Sequence, residues 1–336
     1  MADHAVVIGI DTYPGFSDLQ GPCNDADAFR AWLIDSNGGG LDPANVMPRQ
    51  PLWIREFPAP VGVADARPVL SELETLFRPL VTRAALRQHT DGRLFIFAAG
   101  HGFADSQDMN SAALFTANAE LLFPLHLAVI DYANFFRRTW AFDEVILIMD
   151  ACRSTNALQQ ISKPPLPRVN PHANAKKVKM FVGYGAGFDQ VARERAVNGT
   201  VRGIFTMALL DALKNANPNR QGRVNGTTVK RHIHNSINSF AGDVSIPPPE
   251  ILADEDKDVF FLARPAPGID VEFNVDAAHH NHELVIEFGG VDEVYRANVV
   301  ATPVTVMLSP GLYKARIEGT TASTKFEVPS DVDVTL

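Results

Sequence analysis

Cysteine is scarce: the 336 residues contain two, Cys23 and Cys152. A scaffold stapled by disulfides is excluded at that density. Long apolar runs are also missing. No stretch approaches the ~18 residues of a membrane span. The opening MADHAVVIGIDTYPG enters a strand at once, without the charged start and longer apolar core of a signal peptide. The expectation is a cytoplasmic protein with reduced thiols and no membrane partner. Positive charge is not in excess. The net charge is −9 and the pI near 5.6, which argues against a general nucleic-acid binder. There is no internal repeat and no long biased tract, so solenoid and low-complexity classes drop out. What remains is ordinary globular composition, 46% hydrophobic and 21% charged, in a chain long enough for one large and one small domain.

The first 260 or so residues alternate strand and helix patterns. Strands are expected at Ala5–Ile10, Leu52–Phe57, Leu94–Ala98, Val145–Met149, Val178–Tyr184 and Val259–Leu262. Helices are expected from Asn24 or Asp25 to about Asp35, with Ala28, Trp32 and Leu33 on one face, and at Pro68–His89, Asp131–Trp140, Gly203–Leu213 and Thr227–Phe240. Asp105–Thr116 reads as a loop with a short hairpin. Such alternation predicts an α/β domain with a mostly parallel sheet covered on both faces. Arg264–Gly268, RPAPG, reads as a linker between a domain at 1–264 and a second at 269–336. The second shows short alternating strands: Val271–Val275, Glu283–Phe288, Val299–Val300, Val304–Leu308, Tyr313–Glu318 and Thr324–Val328. It is expected to be a small all-β sandwich that serves recruitment or recognition, with a partner protein bound through it.

Two strand ends carry chemistry. RLFIFAAGHG (93–102) and VILIMDACR (145–153) are continuous apolar runs, the mark of strands buried on both faces. The first stops at His101 and the second at Cys152. Sites in open α/β sheets lie outside the carboxyl ends of strands. Neighbouring strands would bring an imidazole and a thiol to one rim, as a Cys–His nucleophilic dyad requires. Backbone N–H groups of Gly102 and Cys152 are the candidate oxyanion donors. Taken singly, a strand-end His can be structural and a lone buried Cys can be inert.

Six motifs in order then identify a resemblance. They are AVVIGIDTYPG, LQGPCNDADAF, FAAGHG with His101, MDACRS with Cys152, YGAGFDQVARE and GIFTMALLDAL, spanning about Ala5 to Leu262. The chain resembles the caspase-like cysteine peptidases of clan CD, which include caspases, metacaspases and bacterial relatives. The resemblance implies the caspase-haemoglobinase α/β fold, His101 as acid/base and Cys152 as nucleophile. It implies a protein or peptide substrate and, as in many bacterial relatives, a part in stress or defence. No carboxylate partner for His101 is visible, and in such family members a backbone carbonyl serves.

Specificity follows from charge. Caspases carry Gln two residues before the cysteine; this chain has Asp150 there, as metacaspases do. Asp25 in Asn24-Asp25-Ala26 matches the second metacaspase acid. Two carboxylates in one pocket favour a guanidinium and repel an acidic P1 residue. Arg or Lys at P1 is therefore expected. The alternatives are Asp25 as a helix N-cap, and Asp150 paired with Arg153 or a backbone N–H. Ala99 stands where metacaspases often carry Ser. An aspartate-specific caspase and an inactive scaffold are the rival functions.

Ser154–Lys177 is Pro-rich and lies where relatives have an activation loop. Lys163, Arg168, Lys176 and Lys177 are candidate self-cleavage points; the alternative is a solvated loop with ordinary charges. Some metacaspases need calcium. The run Asp254, Glu255, Asp256 and Asp258 is acidic but lacks EF-hand spacing, and reads more simply as a solvated turn. His279, His280 and His282 read as a loop coincidence, Cys23 as a packed thiol. Gly183–Gly187 lacks a phosphate-loop Lys and is expected to line the substrate groove.

Overall fold

A computed structural model describes residues 2–49, 62–155, 160–219, 222–253, 257–263, 268–289, 292–328 and 330–336. The chain divides into two compact units, Met1–Asn217 with Val224–Leu262, and Pro218–Arg223 with Ala263–Leu336. Among the described residues no helix is long and apolar enough to cross a membrane.

The first unit opens with β1 (His4–Gly9), α1 (Pro22–Ile34), β2 (Val46–Met47) and α2 (Leu70–Ala85). It continues through β3 (Thr90–Gly100), β4 (Gly102–Phe103), β5 (Ala113–Phe115), β6 (His126–Leu127), α3 (Val129–Thr139) and β7 (Phe142–Ala151). Then come β8 (Lys179–Tyr184), β9 (Glu194–Val197), β10 (Thr200–Gly203), α4 (Ile204–Asn215), β11 (Arg223–Asn225), α5 (Gly226–Ala241), β12 (Glu250–Ala253) and β13 (Phe260–Ala263). Six strands form the central sheet in the order β12-β8-β7-β3-β1-β2. All neighbours in it are parallel except β12, which runs antiparallel to β8.

Burial on both faces explains the unbroken apolar runs. Leu94, Ile96 and Ala98 of β3 join Val145, Leu147 and Met149 of β7 in the core beneath α2 and α3. Phe95, Phe97 and Ala99 alternate with them and join Ile146 and Ile148 in the core beneath α1, α4 and α5. Helix α2 contributes Leu73, Leu76, Phe77 and Leu80 to the first core. Helix α1 contributes Phe29 and Leu33 to the second, with the Phe29 ring stacked 4.7 Å from Phe97.

Several expectations need correction. Helix α1 starts at Pro22 with Gly21 at the cap, so neither Asn24 nor Asp25 caps it. Its buried face is Cys23, Asp25, Ala26, Phe29 and Leu33, and Ala28 is only half-buried. The strand expected at 52–57 lies outside the described residues. Phe260–Ala263 pairs with β11 in a two-stranded ribbon, and β12 takes the outer place in the central sheet. The hairpin of β9 and β10 falls in a stretch read without a strand. Asp258 of the acidic run accepts from Thr227 N at 3.2 and 3.0 Å with its two oxygens, at the start of α5; Asp254, Glu255 and Asp256 lie outside the described residues.

The second unit is all β beyond residue 268. It contains β14 (Ile269–Asn274), β15 (Glu283–Phe288), β16 (Asp292–Asn298), β17 (Val304–Leu308), β18 (Gly311–Ile317), β19 (Ser323–Val328) and β20 (Asp333–Thr335). Two sheets, β17-β14-β20 and β16-β15-β18-β19, share one core built on Val271, Phe273, Leu284, Ile286, Tyr313 and Phe326. Val299–Val300 is not a strand, because β16 ends at Asn298.

The core assignment predicts a contrast. Phe29→Ala should cost about 3–5 kcal/mol of stability in urea denaturation. Leu122→Ser, at a side chain 77% exposed, should change it by no more than about 0.5 kcal/mol.

Candidate active site

The site begins with strand register. β3 and β7 pair in parallel with Ala99 opposite Asp150 and Gly100 opposite Ala151. The next residue on each chain segment is His101 on one and Cys152 on the other, so both leave the sheet at the same rim. Gly100 makes the exit possible. Its φ is +154°, and a Cβ there would fall 2.3 Å from the Tyr13 hydroxyl.

His101 is held on three sides. Its Nε2 lies 2.7 Å from the Ser17 carbonyl oxygen. An Nε2–H donated to that carbonyl leaves Nδ1 as the basic nitrogen. The backbone N–H of His101 donates to the Tyr13 hydroxyl at 3.1 Å, and the Tyr13 ring packs edge-on at 4.8 Å. The loop carrying Ser17 is tied by Tyr13 N to Asp18 Oδ1 at 2.7 Å and by Leu19 N to Asp11 O at 2.8 Å. The partner of His101 is thus a backbone carbonyl. A carbonyl has no side-chain signature, which is why no residue type pointed to it.

Cys152 is half-buried, and its thiol contacts the Ala192 carbonyl at 3.9 Å. Burial pushes the thiol pKa up and Asp150 adds to the rise; a backbone hydrogen bond at Ala192 and the Arg193 guanidinium pull the other way. The resting sulfur is therefore a protonated thiol at neutral pH. The following residue, Arg153, is fully buried. It pairs with Glu250 at 2.6 Å, donates to Met109 O at 2.5 Å and lies 4.0 Å over the Tyr184 ring. Its backbone exchanges hydrogen bonds with Gln190 and Asp189, each at 2.9 Å, which anchors the segment that carries Ala192.

His101, Cys152, Asp25 and Asp150 all line one cavity of about 180 Å³. Its far wall is Val191–Glu194, not the Gly183–Gly187 stretch expected there; Gly185 instead backs Asp150. The two carboxylates crowd Gly203. A Cβ on that glycine would meet Asp150 Oδ2 at 2.1 Å and Asp25 Oδ2 at 2.7 Å. Asp150 Oδ2 accepts from the N–H and hydroxyl of Thr206 at 3.0 and 2.7 Å, not from Arg153. Asp25 accepts from Arg202 Nε at 2.5 Å and Gly203 N at 2.7 Å. Arg202 was not singled out from sequence. The Asn198-Gly199 pair, with φ of 52° and 80°, is the type I′ hairpin signal that would have placed it opposite the site.

Burial and the Asp150 charge raise the Asp25 pKa to about 8, with Arg202 and the Gly203 N–H opposing. Burial raises Asp150 to about 6, with Thr206 opposing. Lys163, Arg168, Lys176 and Lys177 are exposed, and none lines this cavity; Lys163 and Arg168 lie along α3 with Asp131 and Arg138.

The sequence matches the peptidase C14 family, described as a caspase domain, over residues 2–239. Among solved structures, a structural-genomics protein from Geobacter sulfurreducens is 13% identical, with 79% of this chain and 98% of that chain covered and a TM-score of 0.45. Caspase-1 from Spodoptera frugiperda is also 13% identical, with 74% and 85% covered and a TM-score of 0.42. No curated protein matches.

A pH dependence of stability follows from the raised carboxyls. The folded state holds protons that the unfolded chain, with ordinary carboxyls near 4, has released. Stability is fully present below that value and is lost as pH rises through about 6 and then about 8. The unfolding free energy from urea titration should fall from pH 5 to pH 8.5, by at most about 1.4 kcal/mol per pH unit for each proton released. Asp25→Asn should flatten the upper part of that decline.

Proposed function

Because this chain belongs to the peptidase C14 family of caspase-domain proteins, we propose that it is a cysteine endopeptidase in which His101 and Cys152 form the dyad and Asp25 and Asp150 select Arg or Lys at P1. The observation that carries the reading is one cavity lined by all four side chains.

The chemistry follows from the atoms at that rim. The Ser17 carbonyl holds Nε2–H, so Nδ1 of His101 takes the thiol proton as Cys152 leaves the Ala192 carbonyl. The thiolate adds to the scissile carbonyl carbon. Negative charge moves to the carbonyl oxygen, where the N–H groups of Gly102 and Cys152 receive it. The imidazolium returns its proton to the departing amine, leaving a thioester. Water, deprotonated by His101, then adds to the thioester carbonyl, and collapse releases the acid and restores the thiol.

Below the thiol, a P1 guanidinium or ammonium reaches the Asp25–Asp150 pair. Burial there strengthens the attraction and would leave an acidic P1 uncompensated. Asp150 also supports the alternative of a shaped scaffold wall, since both Thr206 donors use one of its oxygens. Arg193 lines the same cavity and favours the second reading, an aspartate-cleaving enzyme.

Fluorogenic peptides with Arg, Lys or Asp at P1 separate these readings. Arg and Lys peptides should turn over, and Cys152→Ala should reduce this by about 10⁴-fold or more. Asp150→Asn should lower kcat/KM for the Arg peptide about 30-fold, the equivalent of about 2 kcal/mol for a buried charge pair. Turnover of Asp peptides alone would overturn the basic pocket and keep the peptidase. Silence with all three, in the intact chain and after limited cleavage at the exposed Lys163–Lys177 segment, would favour the scaffold.

Activity on the Arg peptide should rise with pH through about 6 to 8, as the carboxyl pair loses its protons and binds the cation. A pH profile of kcat/KM for the Arg peptide, repeated with Asp25→Asn, checks this. Loss of the upper limb in the variant is expected. Self-processing is part of the proposal. Fragments with new ends after Lys163, Arg168, Lys176 or Lys177 should form in the wild type and not in Cys152→Ala.

A further inference from the structure

Arg202 has two neighbourhoods. On one side its Nε binds Asp25 at 2.5 Å. Its Nη2 is buried and has no hydrogen-bond partner among the described residues. Arg202 also lines a second cavity, of about 470 Å³, on the β9–β10 hairpin. Arg195 lines it too, and the hairpin register sets the two arginines directly opposite each other. Like charges facing across a strand pair repel. Arg195 makes one hydrogen bond, to the Phe240 carbonyl at 3.1 Å, and no ion pair among the described residues. The rest of the lining includes Val197, Met207, Leu210 and Phe240, and no acidic residue.

Two arginines that face each other across the hairpin and line one cavity with apolar side chains suit an anion with a non-polar portion. We propose that this cavity is an anion site, taking a carboxylate or phosphate carried on an apolar body between Arg195 and Arg202. The bound oxyanion offsets the two like charges that face each other across the hairpin. It also competes with Asp25 for the Arg202 guanidinium. An anion beside Arg202 offsets its positive charge next to the Asp25–Asp150 pair, which makes the pocket more attractive to a P1 cation, so the anion and a basic substrate help each other bind. This coupling rests on the P1 reading above; the anion site itself does not.

The test is calorimetric titration of the full chain with phenyl phosphate and with benzoate, using inorganic phosphate and acetate as probes without the apolar body. Saturable binding of one aryl probe per chain is expected, tighter than its bare counterpart. Which aryl probe binds tighter assigns phosphate or carboxylate. Arg195→Gln should weaken binding at least tenfold. Leu210→Trp, which fills the cavity and leaves both arginines, should do the same. No saturable binding of either aryl probe, or binding unchanged in both variants, would overturn the site. The bound probe should also raise kcat/KM for the Arg peptide several-fold, and not in Arg195→Gln. Binding without that stimulation would keep the site and overturn its coupling to Asp25.

Discussion

The parallel register of β3 on β7 is the constraint on which the rim depends. Ala99 faces Asp150 and Gly100 faces Ala151, so the imidazole and the thiol emerge side by side. A slip of one residue would shift one partner by about 3.3 Å and turn its alternating side chains to the opposite face of the sheet. That slip is resisted by two cores at once. Each strand places alternate residues under α2 and α3, and the others under α1, α4 and α5. Reactive residues at the ends of such strands are therefore held by packing far from them. The buried Arg153 clamp and the Tyr13 prop then fix the last few ångströms, one behind Cys152 and one behind His101.

Electrostatics at the floor of the cavity work against stability. Two carboxyls share the space beside Gly203, and both have pKa values above the ordinary range because burial disfavours their charge. A structure selected for stability alone would hold neutral groups there. Thr206 offsets part of the cost at Asp150, and Arg202 with the Gly203 N–H offsets part at Asp25. A cation arriving from substrate would complete the compensation. Local instability of this kind is expected where a site is built to bind charge.

Much of this was legible in the residues. The strands ending at His101 and Cys152 stood out because burial on both faces demands unbroken apolar runs. Asp25 and Asp150 stood out through the resemblance to metacaspases, which carry acids at those two places, and they do share one cavity with His101 and Cys152. The Ser17 carbonyl was invisible because a main-chain oxygen carries no residue identity. The β9–β10 hairpin was obscured by exposed, polar composition that gives no apolar period, although Asn198-Gly199 marks its turn. Asp25 was readable as a helix cap because it follows the turn pattern; Pro22 moves the helix start upstream and turns the carboxylate to Arg202. The place of Phe260–Ala263 outside the main sheet depends on long-range pairing that a short apolar run cannot reveal.

The central claim is that a thiol activated by His101 stands above an acidic P1 pocket. Its most direct test is alkylation by a peptidyl fluoromethyl ketone with Arg at P1, compared with the same reagent bearing Asp, followed by mass spectrometric mapping. The account predicts one adduct per chain, on Cys152 and not on Cys23, formed faster with the Arg reagent and lost in His101→Ala. Preferential labelling by the Asp reagent, or equal labelling with and without His101, would contradict it.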